Sequence, residues 1–295
     1  MKKHKICKIL LVILAIFLCV AFYELLGICV AYKKQPEVSN TTKKETKNGS
    51  WNECSENTER AVIIEKNPEA LLQRVRLIKN AKKEIILSTF AFQSDESGKL
   101  ILGALHDAAD RGVHIRLLVD GMESWIDMEG NPYFYGLSSH ENVEIKLYNK
   151  ANPLKPWKMM GRMHDKYLIA DGKTYILGGR NTYNYFLGDF PGHKNYDRDV
   201  LVVCDEPEKE NSVNQLLEYF ETIWDQEDSS YFHDNKKLAN RKPVKNAVLE
   251  LQNGYQKYFE ENKERICDTD YTDETFETEK IALVSNPIHT GPKEP

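Results

Sequence analysis

Hydrophobic and polar positions divide this chain into stretches of different character. Ile9 to Tyr32 is apolar except for Glu24. Fifteen of its residues are Leu, Ile, Val or Phe, worth together about −4 to −9 kcal/mol on a bilayer-insertion scale. One off-centre carboxylate costs at most about 3 kcal/mol, so insertion wins, and the length suffices for a hydrocarbon core of about 30 Å. The run is long for a cleaved signal peptide and has no clear small-x-small cleavage site. It is too apolar all round for a buried core helix. Residues 1–32 therefore read as a membrane anchor. Residues 33–59 are rich in Lys, Thr, Asn, Ser and Glu with almost no apolar pattern, which is a polar linker.

From Ala61 the pattern turns globular. Ala61–Glu65 reads as a short strand, and Pro68 sits near the start of a helix with apolar positions Leu71, Leu72, Val75 and Ile78. A strand over Glu84–Phe92 leads to a helix over Lys99–Arg111 that ends at Gly112, and His114–Val119 reads as a buried strand. Val143–Leu147, Met163–Ala170, Thr174–Leu177 and Asp199–Cys204 continue the sheet, and Asn211–Trp224 closes with an amphipathic helix. Strands alternating with helices predict a layered α/β domain with at least part of the sheet parallel. Between Tyr135 and Met163 the chain is loop-rich, with Lys155-Pro156-Trp157-Lys158 and two methionines. Such a loop is either a substrate lip touching headgroups and the membrane surface or a plain solvated connection. Residues 229–279 are charged with one helical pattern at Val248, Leu251, Tyr255 and Phe259, and read as a connector.

Composition narrows the classes. A chain of 295 residues with 41% hydrophobic and 10% aromatic residues can build a real core. A net charge of −5 argues against bulk nucleic-acid binding. Six cysteines are too few and scattered for a disulfide scaffold, although Cys54 and Cys267 are able to pair if the domain is extracytoplasmic. Lys2, Lys3, Lys5 and Lys8 precede the anchor, and Lys33, Lys34, Lys43, Lys44 and Lys47 follow it. The count nearly balances; the cluster before a first helix usually dominates, which puts the globular part outside.

The chemistry concentrates in His164-Asp165-Lys166-Tyr167-Leu168-Ile169-Ala170-Asp171 and the nearby Gly178-Gly179-Arg180-Asn181. Asp171-Gly172 is a strong two-residue hairpin signal, pairing Ala170 with Lys173 and placing Gly179 opposite His164. His164, Lys166, Gly179 and Asn181 then share one face, and the glycine leaves room for a substrate. A lone histidine on a strand is usually a satisfied structural residue, and a lone lysine a solvated charge. A metal site built on His164, Asp165 and His193 fits no familiar ligand spacing, and the lysine opposes a cation, so no metal or other cofactor is expected.

The pattern His-x-Lys, four residues, Asp, six residues, Gly, then Asn resembles the signature of the phospholipase D superfamily, met here by His164, Lys166, Asp171, Gly178 and Asn181. Tyr185-Phe186 and Asp197-Arg198-Asp199-Val200 are similar to the bacterial cardiolipin-synthase branch, and the likeness runs from about Arg60 to Trp224. Gly179 departs from it, since many members carry Ser there. The resemblance implies a layered α/β/α phospholipase D-type lobe with a mixed sheet over residues 60–228. It implies that His164 attacks phosphorus and that Lys166 and Asn181 hold the non-bridging oxygens. Asp199 then orients the imidazole, with Asp197 in reserve. Asp171 belongs to the motif, but the hairpin puts it at the turn, where it is expected to stabilise structure.

Residues 280–295 look like a new strand and turn, similar to the start of a second lobe in two-motif members. No other histidine in the sequence has a lysine two positions later. The expectation is a site completed by a second lobe or by a second copy in a homodimer. The function this implies is a phospholipid phosphatidyltransferase or phosphodiesterase at the cell membrane. The competing readings are a dimeric nuclease, disfavoured by charge and anchor, and an incomplete interaction module.

Overall fold

The computed structural model describes residues 2–33, 40, 43, 44, 47, 59–204, 211–233, 235–279 and 281–285. An α-helix, α1 (Lys2–Lys33), holds the apolar N-terminal run, and its Lys5–Val30 portion is long and apolar enough to cross a membrane. The linker predicted for 33–59 lies mostly outside the described residues.

The rest is organised on a sheet of nine described strands. β1 (Glu59–Ile64), β2 (Glu84–Thr89), β3 (His114–Asp120), β4 (Val143–Tyr148), β5 (Lys166–Ala170), β6 (Thr174–Gly178), β7 (Asp199–Cys204), β8 (Ser229–Tyr231) and β9 (Phe276–Thr278) stand in the order β8-β4-β3-β2-β5-β6-β7-β1-β9. β2, β3 and β4 run parallel, and every other pairing is antiparallel. The sheet is therefore mixed. The helices that follow are α2 (Asn67–Asn80), α3 (Glu96–Asp110), α4 (Gly121–Asp127), α5 (Pro132–Ser138), α6 (Ser212–Trp224), α7 (Lys242–Glu261) and α8 (Lys263–Cys267).

Strand alternation splits the core in two. Ile85, Leu87, Leu168, Ala170 and Leu201 face one apolar layer with residues of α2, α3, α5 and α7. Ile86, Tyr167, Ile169, Val202 and Cys204 face the other, where α6 packs through Val213, Leu216, Phe220 and Trp224. That is the three-layer α/β/α arrangement. α3 begins at Glu96, three residues before the expected start, because Asp95 caps it by accepting from the Gly98 N–H.

Two expectations need correction. Residues 229–279 are no detached connector: β8 extends one edge of the sheet, β9 extends the other, and Leu251, Tyr255, Phe259 and Ile266 belong to the main core. An amphipathic helix with an unassigned face was the visible signal, and its apolar stripe is satisfied inside this lobe. Second, the β5–β6 register differs by one residue. Asp171 and Gly172 both have positive φ, 52° and 63°, and the Lys173 N–H donates to Ala170 O, which is the expected tight turn. The ladder nevertheless pairs Ala170 with Thr174 and Tyr167 with Leu177. Lys173 is an extra residue whose carbonyl serves Cys204 on the neighbouring strand.

Ile281 and Leu283 pack against the α6 side of the lobe, and Leu283 N donates to Gln215 Oε1. The remainder of the predicted 280–295 segment lies largely outside the described residues. Cys267 is free, and Cys54 is outside them.

Candidate active site

The parallel strands β2 and β3 end at Thr89 and Asp120, and β2 pairs antiparallel with β5, so Thr89 meets Lys166 at the start of β5. β6 ends at Gly178 beside Asp199, where β7 begins. One edge of the sheet thus collects the ends of five strands, the position where α/β sheets place their ligands.

Met163–Ala170 was expected to be one strand, but the ladder starts at Lys166, and His164 lies just before it. A carboxylate from elsewhere holds that approach. Asp120 accepts from Met163 N through Oδ2, at 3.0 Å, and from Arg162 Nε through Oδ1, at 2.9 Å. The same Oδ1 accepts from Met122 N and Glu123 N and so caps α4. This buried residue was not anticipated from the sequence. A strand ending in Asp just before a short helix was the available signal.

The His164 ring lies edge-on to Phe90, with centroids 4.7 Å apart. The same Phe90 ring carries the Arg162 guanidinium at 4.9 Å and the Lys166 ammonium at 5.4 Å. Partial burial, then the Lys166 charge, lower the His164 pKa from its ordinary 6.5, against the opposing pull of Asp165 and Asp120. The imidazole is therefore held neutral near pH 7, the form that can attack phosphorus. Burial also lowers the Lys166 pKa, partly countered by Asp165 and Asp197. Lys166 Nζ donates to His164 O at 2.6 Å, which folds the side chain back along its own strand.

Asn181 is buried, and its Oδ1 accepts from Ala91 N at 3.2 Å. That bond orients the amide, leaving its NH2 as the donor end. Thr182 locks the same segment, since its N–H donates to Ala91 O and its hydroxyl to Thr89 Oγ1. His164, Lys166 and Asn181 are all fastened around the end of β2.

Asp199 and Asp171 go elsewhere. Asp199 Oδ2 accepts from Arg74 Nη1 at 2.9 Å and pairs with Arg180 Nη1 at 3.3 Å, all three side chains being almost wholly buried. The charges acting on His164 are Lys166, Asp165, Asp120 and Arg162, and neither Asp199 nor Asp197 is among them. Arg180 also donates to Asn67 Oδ1 and to the Ile64 and Glu65 carbonyls, tying the end of β6 to β1. Asp171 sits at the far end of β5, five residues or about 17 Å from Lys166. Its carboxylate accepts from the backbone N–H groups of Lys82, Lys83 and Glu84.

The glycine pair has a different partner from the one expected. A Cβ at Gly178 would collide with Asp199 and the Arg198 carbonyl, and one at Gly179 with the Asp197 carboxylate. The one-residue shift of register takes Gly179 from opposite His164 and leaves its open side to Asp197.

A family model described as cardiolipin synthase, PLD-like domain, matches residues 74–224. The chain belongs to this family. Cardiolipin synthase C of Escherichia coli (strain K12) is 29% identical over 171 residues, 53% of this chain and 34% of that protein. Cardiolipin synthase 1 of Staphylococcus aureus (strain MRSA252) is 34% identical over 117 residues, 39% of this chain and 23% of that protein. The chain thus spans about a third or less of these two relatives. Phosphatidylserine synthase of Haemophilus influenzae Rd KW20 shares the fold, with a TM-score of 0.50 and 18% identity over 73% of this chain and 48% of that one. The phospholipase D-like fold follows for this chain as a family property.

Proposed function

We propose that this chain is a membrane-anchored, cardiolipin-synthase-like phosphatidyltransferase that works through a phosphohistidine on His164. The observation that carries this reading is the His164 imidazole lying edge-on to Phe90, the ring that also carries the Lys166 and Arg162 cations, at the carboxyl edge of the sheet. A ring nitrogen of His164 bonds to phosphorus of a phospholipid while the bond from phosphorus to the leaving alcohol oxygen breaks. That oxygen takes a proton from an acid supplied by a second motif, in a second lobe or a second copy of the chain. An acceptor hydroxyl then attacks phosphorus and loses its proton to the same acid, the P–N bond breaks, and the imidazole is regenerated.

Lys166 Nζ and the Asn181 NH2 donate to the non-bridging oxygens, where negative charge grows in the transition state. The carboxylate that orients the imidazole is Asp197 in this reading. It lies against Gly179 and within electrostatic reach of Lys166, whereas Asp199 is committed to two guanidiniums. Asp171 serves the fold. α1 keeps the site at the bilayer surface, with the lobe on the outer side, and phospholipid is favoured over nucleic acid by that anchor and the net charge of −5.

Lipid extracts of cells expressing wild-type or His164→Ala protein, separated by thin-layer chromatography, test this. Cardiolipin or phosphatidic acid should rise with wild type only, and a radiolabelled donor should leave an acid-labile label on the wild-type protein. Equal lipid change with both proteins would end the phosphohistidine reading.

A further inference from the structure

One unassigned feature lies where α1 meets the lobe. Tyr23 OH donates to Leu154 O at 2.7 Å, and Gly27 is so close to Pro156 that a Cβ there would strike the proline ring. Tyr23 and Gly27 lie within the apolar Lys5–Val30 run, seven and three residues before its end, or about 10 Å and 5 Å along the axis. The loop around Leu154 therefore stands beside the last turns of the membrane-length segment. Trp125 of α4, which shares a cavity with α1, is 64% exposed, its chain neighbour Ile126 is 67% exposed, and Leu154 is 78% exposed. That cavity, of about 530 Å³, is lined by Glu24 and Ile28 of α1 and by Met122, Trp125, Leu147 and Pro153.

We infer that Trp125, Ile126 and Leu154 form a docking surface for the bilayer leaflet from which α1 emerges, with a phospholipid acyl chain in the adjoining cavity. This rests on the anchor proposed above. The occupant follows from position: a lobe whose loop packs against the last turns of a membrane span cannot stand clear of the bilayer. Tryptophan at the rim matches the side chain preferred at membrane interfaces. Docking also bears on the catalytic edge, because Asp120 caps α4 and, with the same carboxylate, holds Arg162 and Met163 just before His164. A lobe seated through α4 therefore presents His164 beside the headgroup layer.

The test uses the full chain in nanodiscs of phosphatidylglycerol and phosphatidylethanolamine carrying a radiolabelled acyl chain. Photoreactive p-benzoylphenylalanine replaces Ile126, Leu154 or, as control, Leu249, which is 57% exposed on α7. Illumination should label the chain with lipid at 126 and 154, with the label lost at 249. Equal labelling at all three positions would overturn the inference, as would chain-to-chain or chain-to-other-protein adducts in place of lipid at 126 and 154. Alkaline carbonate extraction of expressing membranes reports separately on the anchor. A chain washed off the membrane sinks the anchor, and a retained chain without lipid adducts sinks only the docking surface.

Discussion

The β5–β6 hairpin has two ends built from one short motif, and they do opposite things. At the open end, His164 is exposed, Lys166 is buried with few partners, and the Asn181 NH2 points away from its one backbone bond. At the turn end, Asp171 makes three bonds to the backbone leading into β2 and adopts positive φ. Polar groups left short of partners are able to serve a ligand, while a saturated carboxylate has nothing left to offer one. Membership of a motif does not by itself mean contact with substrate. The second carboxylate, Asp199, is divided between the two kinds: two arginines hold its Oδ2, while its buried Oδ1 has no hydrogen-bond partner among the described residues.

The largest effect should come from Asp199. Asp199→Ala strands two buried guanidiniums and should cost about 3–5 kcal/mol of stability. Asp197→Ala, at a half-exposed site, should change stability by less than about 0.5 kcal/mol yet lower turnover about 10²-fold or more. Denaturant unfolding beside a lipid transfer assay separates the two. If Asp199→Ala is stable and selectively inactive, then Asp199, and not Asp197, is the orienting group. Next, Lys166→Ala and Asn181→Ala should each lower turnover about 10²–10³-fold, the usual cost of losing one donor to developing charge. A smaller loss at Asn181 than at Lys166 is acceptable, but normal turnover in either variant would remove that residue from the reactive end.

Asp171→Ala tests the other end. Three backbone N–H groups lose a charged acceptor and alanine must take a left-handed conformation, together about 2 kcal/mol. For a lobe of this size that is a fall in Tm of about 4–8 °C, readable by thermal unfolding. Turnover per folded molecule should stay near wild type. Asp171→Asn, which tolerates positive φ and keeps one acceptor oxygen, should recover part of the loss. A fully stable but inactive Asp171→Ala protein would dissolve the distinction between the two ends.

Local patterns made much of this readable in advance. The Asp-Gly turn, the strand alternation and the helix patterns are near-neighbour effects, and the layered α/β domain follows from them, whereas the α/β/α order and the mixed sheet are implied by the family resemblance. What stayed hidden depends on partners far along the chain. The carbonyl of Lys173 bonds to Cys204, which fixes a bulge that no feature of Ala170–Thr174 announces. Asp199 finds Arg74, 125 residues away, and Met163 finds Asp120. The amphipathic pattern at Leu251, Tyr255 and Phe259 marked a helix correctly without saying which core would receive it.

The smallest predicted effect is electrostatic. His164 must be neutral to attack, so activity is present above its folded pKa and lost as pH falls through it. Burial and Lys166 lower that pKa, which puts the acid limb of kcat/KM below 6.5. Lys166 must be charged to hold phosphate oxygens, and burial lowers its pKa as well, so the alkaline limb falls below 10.5. Lys166→Met removes a cation beside the imidazole, which makes protonation easier, so the His164 pKa should move up toward 6.5. NMR titration of the imidazole measures this even though the variant is nearly inactive. Asp171→Ala, at the far end of β5, should leave the His164 titration unchanged. If both variants shift the imidazole equally, the two ends are not electrostatically separate, and the division of labour along this hairpin fails.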